Sequence, residues 1–147
     1  QSLSLRATLQ DEWGIAGSHR AIATQLMRRD GQGDAVSARG HLATALTMFA
    51  NVGDSLGIAE SLESLGVLWT DEEPIRAAKL LGAAVGVRVQ CGAAAGVVTD
   101  GCARTEALRA LHASVWQEGE ALSIRDAIRL GRAAGLEVGE LTVTLKR

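Results

Sequence analysis

Proline occurs once in the 147 residues and cysteine twice. With so little proline to interrupt it, the backbone is free to run as long helices. Cys91 and Cys102 can close at most one disulfide between them, which is no disulfide framework and suits a reducing cytoplasm. No run approaches the ~18 apolar residues of a transmembrane helix. A basic excess is also missing: 15 Lys and Arg stand against 17 Asp and Glu, for a net charge of −2. Direct nucleic-acid binding is therefore not expected. The first residues lack the layout of a signal peptide, and a start at Gln1 reads as a cut inside a longer chain. No G-x-x-x-x-G-K-[ST] phosphate loop occurs.

What the chain has is helix-forming Ala, Leu, Arg and Glu, with few alternating runs of Val, Ile and Thr, so an all-α fold is expected. It also repeats itself. The stretch DEWGIAGSHRAIA begins at Asp11 and DSLGIAESLESLG begins at Asp54. Aligning the two pairs Gly14 with Gly57, Ile15 with Ile58, Ala16 with Ala59 and Ser18 with Ser61. Allowing a four-residue deletion, the match continues with Ala38 on Ala77, Leu42 on Leu81 and Gly53 on Gly92. One unit is then a helix, a turn and a second helix of about 40 residues, in the range of stacked helical repeats. On this reading D-x-x-G-I-A marks the start of each helical pair, and residues 1–10 end an earlier unit.

Ile58, Leu62, Leu65 and Trp69 step by helical intervals along one apolar face. Ile15, His19, Ile22 and Leu26 hold the same positions in the first unit. The partner helices carry Leu42, Leu46 and Phe49, then Ile75, Leu81, Val85 and Val89. Pro74 sits in a helical first turn, where proline is tolerated. Gly40, Gly66, Gly82 and Gly86 fall inside expected helices at about 0.5–1 kcal/mol each, a cost that points to close helix contacts. After Gly92 a connector rich in small residues leads to a helix capped by Asp100 and running to about Gly119, with Leu108, Leu111 and Val115 on one face. Ser123 with Asp126 resembles a capping box for a short helix from Ile124 to about Ala134, which would cap the open end of the stack. The alternation of Leu141, Val143 and Leu145 reads as an extended tail. The divisions expected are repeats at 1–92, a helical cap at 93–134 and a tail at 135–147.

No constellation announces chemistry. Cys91, Cys102 and His112 are 11 and 10 residues apart, unlike zinc-ligand spacing. His19 and His41 replace Leu62 and Leu80 of the second unit and are expected in packing. Asp71-Glu72-Glu73 precede a helix and Arg28-Arg29 end one, as the helix dipole favours. Glu60 and Glu63 read as solvated charges. The chain is expected to be no enzyme and to need no cofactor or metal.

Two features carry a family resemblance. Leu62-x-x-Leu65-Gly66-x-x-Trp69, followed by Ala78, resembles the tetratricopeptide spacing of large and small residues, in a unit longer than the usual ~34. GDSLGIAESLE (53–63), RAAKLLGAA (76–84) and W-x-E-G-x-A-L-S-x-x-x-A-I (116–128) together resemble the helical repeat region near the C-terminus of large, often actinobacterial, regulators. Those are signal-transduction ATPases joined to DNA-binding domains of LuxR or SARP type, or to a cyclase. The stretch between the second and third motifs is shorter here than is common in that family. The resemblance implies a right-handed α-solenoid with a C-terminal capping helix, cytoplasmic, contacting a protein partner, other domains of its own polypeptide or a second copy in a homo-oligomer. In that family such repeats hold an ATPase switch off or relay an effector. The alternative is a stand-alone solenoid adaptor that binds a peptide or self-assembles. The candidate surface, on the first helix of each unit, is Arg20, Thr24, Arg28, Glu60, Glu63, Ser64 and Val67.

Overall fold

A computed structural model describes residues 2–29, 31–92 and 103–136, and among them every regular element is helical, with no strand. The helices are α1 (Ser2–Arg29), α2 (Gln32–Val52), α3 (Ser55–Trp69), α4 (Pro74–Gln90), α5 (Ala103–Leu111), α6 (Ala113–Glu120) and α7 (Ile124–Leu136). No described helix is long and apolar enough to cross a membrane. Short connections make α1–α2 and α3–α4 packed antiparallel hairpins, and α2 lies against α3. The expected connector 93–101, its Asp100 cap, Cys102 and the tail from 137 onward lie outside the described residues.

The second D-x-x-G-I-A begins a helix and the first does not. Gly53 adopts the left-handed conformation at φ 75°, and its N–H closes onto the Ala50 carbonyl, so α2 ends there. Asp54 then caps α3, its carboxylate accepting from the Gly57 N–H at 3.0 Å. In the first copy the place of Gly53 is taken by Gln10, for which the left-handed region is costly. The stop is missing, and α1 runs straight through Asp11. Residues 1–10 are thus not the end of a separate helix, as the repeat had suggested.

The core forms where the second unit has neighbours on both sides. Ile58, Leu62, Leu65 and Trp69 are all buried, together with Leu42, Leu46, Phe49, Leu80 and Leu81. The matching face of α1 is not. Ile15 is 46% exposed and Ile22 is 44% exposed, while Ala16 and Ala23 turn inward. The glycines of the motif show why. A Cβ on Gly57 would lie 2.5 Å from the Phe49 ring of the preceding helix, whereas one on Gly14 would meet nothing within 4 Å. Among the described residues no helix stands behind α1 as α2 stands behind α3. Ile75 and Val89, expected in the core face of α4, are also exposed.

Four glycines set the depth of packing. A Cβ on Gly82 would strike the carbonyl oxygen of Trp116, one on Gly86 that of Glu120, and one on Gly119 that of Lys79. Helices α4 and α6 therefore touch backbone to backbone. A Cβ on Gly66 would come within 2.7 Å of Leu81 Cγ. Gly40 has open space around it, so packing does not account for that one.

The single helix expected up to Gly119 is broken into α5 and α6 at His112, at φ −126° and ψ 44°. The break leaves Leu111 78% exposed and directs α6 onto α4, with Leu108 and Trp116 buried. Helix α7 starts as expected, with Ser123 Oγ accepting from the Asp126 N–H at 3.1 Å, and runs two residues past Ala134, across the expected boundary at 135. It does not cap an end of the stack. It folds back along α2 and also touches α3 and α4, seated by Gly131 against Leu46 and Leu62 and by Gly135 against Ala43. The cap and the repeats share one core.

Candidate interaction surface

The predicted surface residues lie on α1 and α3, and the structure joins four charges there into a row. Arg20 of α1 pairs with Glu60 of α3. One turn further along α3, Glu63 accepts from Arg88 of α4 at 2.6 Å. The Arg20–Glu60 pair is about one-third exposed, so it contributes about 0–1 kcal/mol. The inner pair is different: the side chains of Glu63 and Arg88 are only 15% and 8% exposed. Glu63 is therefore not the solvated charge expected. Burial pushes its carboxyl above the ordinary 4.5, the Arg88 guanidinium pulls it part of the way back, and neighbouring Glu60 adds to the rise.

The remaining predicted residues lie on the same two helices. Thr24 is exposed and its hydroxyl donates back to the Arg20 carbonyl at 3.0 Å. Arg28 is exposed in the last turn of α1, Ser64 is half-buried, and Val67 is exposed. Val67 lines a groove with Met27, Leu68, Glu72 and the ion-paired Arg104 and Asp71.

His19 and His41 meet across the first hairpin, Nδ1 to Nδ1 at 2.9 Å. One of the two Nδ1 atoms carries the hydrogen and the other accepts it. No group of three or more His, Cys, Asp or Glu among the described residues is arranged to hold a metal ion. Cys91 is an exposed free thiol.

Two arrangements escaped sequence reasoning. Two guanidinium groups lie over the Trp69 ring, Arg39 at 4.0 Å and Arg76 at 4.7 Å from its centroid. Nothing local joins residues so far apart in the chain. The other is a stripe of arginines on α7, at 125, 129 and 132, whose helical spacing was legible in the sequence.

Exposed large apolar side chains occur on most of the described helices and are most numerous on α1, the longest. Leu5, Leu9 and Trp13 follow one another at four-residue steps, and Ile15 and Ile22 share another edge seven residues apart. The indole Nε1 of Trp13 donates to Asp54 Oδ2 at 2.8 Å, which holds the ring against the start of α3 beside exposed Leu56.

The chain matches no family model, and no curated protein or solved structure resembles it at a significant level.

Proposed function

We propose that this chain is a non-catalytic helical-repeat module of a bacterial transcriptional regulator. It is a tetratricopeptide-like solenoid that works in the cytoplasm through contacts with other domains of its polypeptide or with a protein partner. The observation that carries this reading is the open side of α1. Five large apolar side chains, Leu5, Leu9, Trp13, Ile15 and Ile22, stand exposed on this one helix. The line of Leu5, Leu9 and Trp13 is exposed apolar surface of the kind that marks a protein contact, and stacked helical pairs bury such faces against a further pair. The motif combination in 53–63, 76–84 and 116–128 supplies the link to regulators.

The test is the length and content of the native polypeptide, read by immunoblot and intact mass from the source cell. A long chain with a phosphate-binding loop, whose nucleotide hydrolysis changes on Ile22→Glu, is the expected result. A native chain ending near these 147 residues overturns the regulator reading in favour of a stand-alone adaptor.

A further inference from the structure

A groove of about 690 Å³ lies where the end of α2 meets the outer face of α7. Its rim carries Arg125, Arg129 and Arg132, and Ile128 and Leu136 supply apolar wall. Asn51 contributes a side-chain amide from α2. The three arginines and the two apolar residues share the face of α7 opposite Ala127, Gly131 and Ala134, which are buried.

Charge is concentrated in this groove. Several arginines elsewhere meet carboxylates: Arg20 with Glu60, Arg39 with Glu72, Arg88 with Glu63 and Arg104 with Asp71. In the groove the one carboxylate at hand is Asp126, 3.6 Å from Arg129 and on the exposed side of the same helix. Arg125 and Arg132 have no partner among the described residues. A protein of net charge −2 thus holds a local cationic stripe beside unpaired apolar surface.

We propose that this groove docks an acidic amphipathic segment of a partner protein, with carboxylates on the arginine forks and an aliphatic side chain against Ile128 and Leu136. Guanidinium groups match carboxylates two bonds at a time, and the apolar wall supplies the non-polar anchor of a helix-in-groove contact. The volume suits a few side chains. Single-stranded nucleic acid fits less well, because no aromatic ring is present for bases to stack upon. The inference concerns a different face from the α1 contact and stands whether or not the chain belongs to a regulator.

The test uses the full chain and a fluorescein-labelled peptide of about four helical turns, with Glu along one face and Leu along the other, followed by fluorescence anisotropy. Saturable binding is expected, weakening as salt screens the charges. The Arg125→Glu/Arg132→Glu double variant should bind at least ~10-fold more weakly with an unchanged circular dichroism spectrum, since both side chains are exposed. A peptide with Lys in place of Glu should prefer that variant over the parent. Equal binding to parent and variant, or no saturable binding to the parent, overturns the proposal. So does tighter binding of single-stranded oligothymidylate through the same two arginines, which would make the groove a nucleic-acid site.

Discussion

The carboxylate of Asp54 serves two helices at once. Its Oδ1 caps α3 by accepting from the Gly57 N–H at 3.0 Å, and its Oδ2 accepts from the Trp13 indole of α1 at 2.8 Å. The second copy of the repeated motif thus holds the first copy in place. Asp11, its sequence equivalent, lies exposed in mid-helix.

The two aspartates should therefore answer differently to alanine. Asp54→Ala removes a helix cap and is expected to cost about 0.5–2 kcal/mol. Asp11→Ala, at an exposed helical position, should stay within about 0.5 kcal/mol of the parent. Urea denaturation of the two variants checks this, and equal losses would mean that Asp11 also begins a helix.

Trp69 ties the two halves of the chain together. It is 1% exposed, and its Nε1 donates to the Ala134 carbonyl of α7 at 3.0 Å. Trp69→Ala should cost about 3–5 kcal/mol. Trp69→Phe keeps most of the volume but leaves the Ala134 carbonyl without its side-chain donor, for about 1–3 kcal/mol. In the phenylalanine variant hydrogen exchange should quicken in α7 before it does in α1. Unchanged unfolding of Trp69→Ala would contradict the core described above.

Gly119 faces the Lys79 carbonyl and the Ala83 backbone nitrogen, neither of which can swing aside. Gly119→Ala should lift α6 from α4 and cost about 1–3 kcal/mol by overpacking. Trp116, buried in that interface, would become exposed, and its fluorescence should shift to the red. Gly40→Ala, in open space, should instead stabilise by about 0.4–1 kcal/mol. If both variants behave alike, backbone contact between α4 and α6 is not what sets their separation.

Glu63 gives an unusual dependence on pH. Burial raises its carboxyl above 4.5 in the folded chain. Between the unfolded and folded values, the native state holds a proton that the unfolded chain has released, so stability falls as pH rises through that interval and levels off above it. Glu63→Gln removes this contribution. The stability of the parent minus that of Glu63→Gln, from urea midpoints at a series of pH values, should decline as pH climbs from 4.5. A difference that grows with pH would show the Arg88 attraction outweighing burial.

Much of the local structure was legible residue by residue. Pro74 opens α4 and Ser123 caps α7, because each needs only its own backbone and that of the next turn. Ser18 and Ser61 both bond back to the carbonyl four residues earlier, repeating a local habit along with the motif. The spacing of Ile58, Leu62, Leu65 and Trp69 named a buried face correctly. The same spacing misled for Ile15 and Ile22, since periodicity marks a helix side and not what stands against it. Among the candidate surface residues the spacing showed neither the pairing of Arg20 with Glu60 nor the withdrawal of Glu63 from solvent by an arginine 25 residues away.

The sequence by itself determined that the chain is helical, where most of the second unit begins and ends, and which of its faces is apolar. These follow from short-range rules of capping, left-handed glycine and the 3.6-residue turn. Tertiary structure alone decided that α6 lies in backbone contact with α4, and that α7 returns to α2 and does not close an end. Those outcomes depend on which distant surfaces meet. A glycine beside a carbonyl on another helix leaves no trace in the order of residues along one chain.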